Sequence, residues 1–188
     1  MEKVIWQLPT TVDVNGTTYE IRSDYRAILD ILLAITDSGL DGQNKTLEAL
    51  EIFYPAFDEM PVSDYQEALE KCFLFIDMGQ EKKEKKPEPT LMSWEQDFGM
   101  IIAPINRIAG GEIRALGYVH WWTFLSWYSE IGDCLFAQVV RIRDKKARGK
   151  ALDKQDREFY KRNRDIIDLK TTYTEAEKDV LAAWGISK

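Results

Sequence analysis

Fifteen residues, Gly117 to Ile131 (GYVHWWTFLSWYSEI), hold three of the chain's six tryptophans, two tyrosines, a phenylalanine and the only histidine. Aromatic side chains remove large apolar areas from water and dominate the energetics of cores and interfaces. Whatever this chain folds into must therefore wrap the span or offer it to a partner. Read as a helix, the i+3 and i+4 spacing puts Trp121, Phe124, Leu125 and Tyr128 on one side, with Trp127 and Ile131 flanking them. Trp122 and Thr123 point elsewhere, so the span is apolar over more than half its circumference. The first four residues are expected to hold the fold. Tyr118 and Trp122 are expected at a groove edge, and these two with Trp127 are the residues expected to touch something else.

The rest of the chain is punctuated for helices after a single hairpin. Thr10, Val12 and Val14 alternate into Asn15-Gly16, and Thr18, Tyr19 and Ile21 follow, so the Asn-Gly pair predicts a type I′ turn. Val4-Ile5-Trp6 would add a third strand or a docking segment. Ser23 is placed as the cap of a first helix carrying Tyr25, Ile28, Leu29 and Leu32 and ending near Gly39. Asn44 opens a second, stopped by Pro55, and a Ser63/Gln66 capping box opens a third that ends at Gly79. Residues 80–90 hold no apolar side chain and two prolines, which reads as a mobile charged linker.

Beyond that linker, Ser93 and Gln96 form another capping box, Pro104 is expected to kink or restart the helix, and Gly110-Gly111 ends it. The periodic pattern that begins at Val119 carries past Gly132 through Leu135, Val139 and Ile142 to Arg148-Gly149. Asp153 caps a helix bearing Phe159, Ile166 and Ile167, and Thr174 with Glu177 boxes a last one through Trp184. The expected fold is mainly α, about seven or eight helices with an N-terminal β-hairpin. It is organised as residues 1–79, the linker 80–90 and residues 91–188, the two ends forming one compact body.

Several function classes are disfavoured by composition. With 188 residues, a formal charge of −7 and a pI near 4.9, the surface as a whole is unsuited to gripping phosphates. No stretch approaches the roughly eighteen apolar residues of a membrane span, and no basic start leads into an apolar leader. Cys72 and Cys134 sit in apolar helical patterns and read as small buried hydrophobes. The chain lacks a phosphate-binding glycine loop, Cys-x-x-Cys and His-Glu-x-x-His. A catalytic reading would rest on His120, with a distant carboxylate such as Asp97 as partner; its helical neighbours Ser126 and Ser129 lack a nucleophile elbow. Glu130 and Asp133 are spaced for two cation ligands, yet the further Glu and Glu-x-x-His that helical carboxylate sites bring are missing, so a solvated face is expected. No catalytic residue, cofactor or metal is therefore assigned.

Charge is unevenly spread. Residues 13–70 contain thirteen acids against three bases, whereas residues 141–170 contain twelve bases against six acids. Cations near a helix C-terminus have a structural reason first, through the helix dipole. Arg141, Arg143 and their neighbours up to Arg164 also leave a nucleic-acid contact open as an alternative, as His120 in an aromatic pocket leaves open a small-ligand site or an enzyme.

The block His120-Trp121-Trp122-Thr123-Phe124, then Glu130-Ile131-Gly132-Asp133, Val140-Arg141-Ile142-Arg143 and the Gly149-to-Lys154 loop, closely resembles the bacteriophage gp-fifteen family. These are proteins encoded among the tail genes of siphophages and prophages of Gram-positive hosts. The resemblance implies a tail assembly chaperone in the host bacterial cytoplasm. Such a protein is encoded near the tape-measure gene and is thought to coat the long tape-measure helix until the tail tube polymerises around it. Expected partners are the tape-measure protein, other tail components and further copies of the chain, with no membrane contact. The family carries no catalytic residues to transfer; it marks the HWWTF block, the Gly110-to-Arg114 approach and the basic segment around Ile142. The resulting candidates for protein contact are Tyr118, His120, Trp122, Trp127, Arg114, Arg141 and Arg143.

Overall fold

A computed structural model describes residues 7–80 and 88–170 of the chain. The fold is mainly α. Among the described residues one two-stranded antiparallel hairpin precedes eight α-helices. The chain divides into two compact units, Pro9–Phe75 and Ile76–Leu169. The Val4-to-Trp6 segment, most of the charged linker and the Thr174 capping box lie outside the described residues.

In the first unit, β1 (Thr11–Val14) and β2 (Thr17–Glu20) pair with Val14 opposite Thr17. Asn15 and Gly16 both adopt positive φ, 47° and 83°, the geometry a type I′ turn demands. The turn is also an anchor. The Asn15 backbone N–H donates to Glu67 (3.1 Å), and its side-chain amide donates to the buried Asp64 (2.9 Å). A two-stranded ribbon is marginal alone, and here it leans on the start of a helix.

Helix starts in this unit differ from the expected ones by a residue or two. Helix α1 (Tyr25–Thr36) is capped by Asp24 rather than Ser23, because the Asp24 carboxylate accepts from the Arg26 N–H and also pairs with the Arg26 guanidinium. Helix α2 (Gly42–Phe53) begins before Asn44, whose N–H donates 2.8 Å to the cap Asp41. The Ser63/Gln66 box does not form. A 3-10 turn, Val62–Asp64, leads into α3 (Tyr65–Ile76), and the Ser63 hydroxyl donates to Asp64, the residue that receives the hairpin. Helices α1 and α2 pack together, and Ile28, Ile31, Leu50 and Phe53 are wholly buried. The Tyr54 hydroxyl donates 2.8 Å to the Ala68 carbonyl, and burial raises its pKa.

The second unit is built from α4 (Trp94–Ala109), α5 (Trp121–Ser129), α6 (Leu135–Ala147), α7 (Lys154–Arg162) and the single turn α8 (Arg164–Ile167). Ser93 caps α4 as expected, accepting from the Gln96 N–H. The reciprocal half of the box is taken by Asp97, which accepts from the Ser93 N–H (2.9 Å), while the Gln96 amide reaches the Asp168 carbonyl (3.1 Å). Pro104 is buried inside α4 and does not restart it. Gly110 ends the helix at φ 77°.

The long helix expected from Val119 to Arg148 is two. The N–H groups of Glu130 and Ile131 fold back onto the Trp127 and Tyr128 carbonyls (3.1 and 3.4 Å), and Gly132 takes φ 59°, turning the chain before α6. Both helices pack against α4, and Tyr128 of α5 meets Phe136 of α6, so apolar residues are called for on each side of the turn. Asp153 caps α7 through the Asp156 N–H (2.8 Å). The helix expected from there through Ile167 is interrupted at Asn163, at φ −131°.

Candidate interaction surface

The aromatic span is a core cluster with a short exposed approach. Trp121 is 1% exposed, stacks on Phe124 at 5.5 Å and 15°, and donates its indole N–H to the Ile76 carbonyl (2.9 Å). Trp94 from α4 sits edge-on to Trp121 and tilted against Phe124 and Tyr128, 5.4 to 6.3 Å away. Ring pairs in these orientations contribute beyond their buried area. Trp122 is not at a rim; it is buried, with Gly79 beside its ring. Trp127 is half-buried. The exposed apolar surface lies just upstream of α5, at Leu116 (48%) and Tyr118 (54%).

His120 has a structural post. It is buried in extended conformation immediately before α5, and its Nδ1 accepts the Trp122 N–H at 3.0 Å, taking the place usually held by a Ser, Thr, Asp or Asn cap. Accepting there requires an unprotonated Nδ1. The ring also stands edge-on between Tyr118 (6.5 Å) and Trp122 (5.9 Å). The carboxylate imagined as its catalytic partner, Asp97, is engaged elsewhere. Among the described residues no group of three or more His, Cys, Asp or Glu is placed to hold a metal ion, and Glu130 and Asp133 are both exposed in the turn between α5 and α6.

The three arginine candidates have separate roles. Arg143 is 5% exposed and forms a two-pronged pair with the fully buried Asp97, at 2.6 and 2.9 Å. Its remaining N–H groups donate to the carbonyls of Leu91, Ile166 and Ile167. This guanidinium ties α4, α6 and α8 together from inside and is not a surface contact. Arg141 is exposed and reaches 2.8 Å to the buried Asp156, which also receives Lys145 at 2.5 Å. Arg114 lies on the surface, forked onto Glu112 at 2.8 and 2.7 Å. Hydrogen bonds from the Arg114 side chain and then its backbone hold the Glu112 carboxyl down at about 2.

Sequence reasoning had the signal for Arg143 within reach. Val139, Ile142 and Arg143 fall at i, i+3 and i+4, which puts the arginine on the same face as Val139 and Ile142, both wholly buried. Asp64 and Asp156 were missed as buried acceptors, because an acid's burial depends on partners far away in sequence.

In this mainly helical chain His120 caps a helix, Arg114 forks onto Glu112 at the surface and Arg143 is consumed by a buried pair. The chain matches the family described as Bacteriophage Gp15 protein over residues 4–169 and belongs to that family, a phage family of the structural or morphogenesis type. No curated protein matches the chain. No solved structure matches it. Among the described residues no helix is long and apolar enough to cross a membrane.

Proposed function

We propose that the protein is a non-enzymatic chaperone of tail assembly, holding segments of the tape-measure protein in the host cytoplasm until the tail tube forms around them. The observation that carries this reading is the exposed apolar approach to α5. Leu116 and Tyr118 are exposed, Tyr118 stands edge-on to the cap His120, and the helix that follows carries the packed rings of Trp121 and Phe124 with Trp127 half-buried. An amphipathic helix needs an apolar surface of this kind to lie on, and a preformed one costs little ordering on binding. Family membership supports a role in building the phage particle.

Co-expression with the tape-measure protein of the same phage tests the reading. The wild type should co-purify with tape-measure segments and keep them in solution, and a Tyr118→Ala/Trp127→Ala protein should lose both effects while keeping its own helical content. Tape-measure segments that behave identically with and without the wild-type chain would refute it.

A further inference from the structure

The basic segment has an inner face whose charges are consumed and an outer face whose charges are not. On the inner side, the buried Asp156 takes Arg141 and Lys145, and Phe159 and Tyr160 pack against Val139, Ile142 and Ile167. These contacts fix which way α7 faces. On its outer side Lys154, Arg157 and Lys161 fall at i, i+3 and i+7, all exposed and, among the described residues, without an ion pair. They form a ridge about 10 Å long at 1.5 Å per residue.

The opposite charge pattern lies in the unit Pro9–Phe75, which has thirteen acids against four bases. A shallow open groove of about 600 Å³ is lined by residues of α1 and α2 and the approach to α1, with Ala27 and Ile52 as its apolar lining. Its own arginines are occupied: Arg26 pairs with Asp24, and Arg22 donates to the Glu51 and Ile52 carbonyls at 2.6 and 2.7 Å. The carboxylates of Asp30 and Glu51 in its wall, with Glu48 one turn away on α2, are exposed and carry no ion pair among the described residues.

We infer that the α7 ridge of one copy docks into the α1–α2 groove of a second copy. Because the two surfaces differ, the contact is heterologous: a copy docked through its ridge keeps its groove, and one docked through its groove keeps its ridge, so association continues beyond a single contact. Opposed fields of this size also steer the encounter. The same ridge offered to nucleic acid lacks a stacking ring, since Phe159 and Tyr160 are turned inward, and the chain's net charge of −7 opposes a polyanion. The inference does not depend on tape-measure binding.

Sedimentation of the full chain decides it. Average mass should climb with protein concentration at about 50 mM salt and fall to the monomer at about 500 mM, where screening shortens to a few ångströms. Lys154→Glu/Arg157→Glu/Lys161→Glu and Asp30→Lys/Glu51→Lys proteins should each stay monomeric at low salt with unchanged circular dichroism, and their equimolar mixture should regain the large species. A wild type that is monomeric at low salt overturns the proposal, as does a folded pair of variants whose mixture fails to assemble. So does a wild type that stays monomeric while shifting a labelled DNA through the same three cations. Because Tyr118 and Trp127 are untouched, failure of tape-measure binding and failure of self-association are read separately.

Discussion

The inner and outer faces of residues 141–164 are built from the same kinds of residue and do opposite things. Arg143 and Asp156 point inward, are sealed from water, and have every charge answered by a partner. Lys154, Arg157 and Lys161 point outward and answer to nothing among the described residues. Charged residue type alone does not distinguish a structural tie from a docking surface; the register relative to the buried stripe does. A buried pair is costly to break, because removing one partner strands the other charge away from water. An exposed cation is nearly free to remove, because water has already paid it most of what a partner would.

The sharpest way to break this contrast is Arg143→Ala. Stranding the buried Asp97 should cost about 3–5 kcal/mol, read as a lower urea midpoint, with Arg143→Lys recovering only part because an ammonium cannot reproduce the fork. A protein as stable as wild type would show the inner face to be as dispensable as the outer. Next comes His120→Ala, which removes the α5 cap along with a buried ring and should cost at least about 0.5–2 kcal/mol, whereas His120→Asn keeps an acceptor and should recover the capping part only. At the small end, Lys154→Gln and Arg157→Gln should each change stability by less than about 0.5 kcal/mol while still reducing self-association at low salt.

Acid extends the contrast to exposed pairs. The Glu112 carboxyl is held at about 2 against an ordinary 4.5. A depressed carboxylate contributes stability that is fully present above its unfolded pKa and is lost as pH falls through the folded one. The Glu112–Arg114 fork should therefore persist at pH 4 and open on approach to pH 2, which the Glu112 side-chain carbon resonance would report. A midpoint near 4.5 would mean the fork does not exist in solution. Thiol chemistry draws the same line between inside and outside. Burial pushes the Cys72 thiol up to about 12, so the native protein at pH 8 should leave Cys72 unlabelled by a disulfide reagent until it is denatured.

How much of this was legible in the sequence follows from the range of each interaction. The hairpin turn at Asn15-Gly16, the caps at Ser93 and Asp153 and the stop at Gly110 depend on residues within a few positions, and they stand where the pattern put them. The start of α1 slipped because Ser23 and Asp24 stand side by side and either can cap, and that of α2 because Asp41 caps three residues upstream and Asn44 is the donor it receives. The division of α5 from α6 was hidden because their apolar faces stay in phase across Gly132. His120 as a cap was unreadable from its type, since imidazole caps only when its Nδ1 is unprotonated and aimed along the chain. Trp122 is buried where a groove edge is expected, because helical angle alone shows which way a side chain points and not what stands there to cover it.

The Arg143 fork has a consequence for how the chain is made. Asp97 precedes its arginine by 46 residues, and the Ile167 carbonyl that completes the arginine's set follows by another 24. At a translation rate of about 5–20 residues per second, the acid waits several seconds for its counter-charge, and both wait again for the carbonyls. Until residue 167 has been made, water must serve the guanidinium donors that the Ile166 and Ile167 carbonyls take in the folded chain, so the full set closes only when this unit's last helix is present.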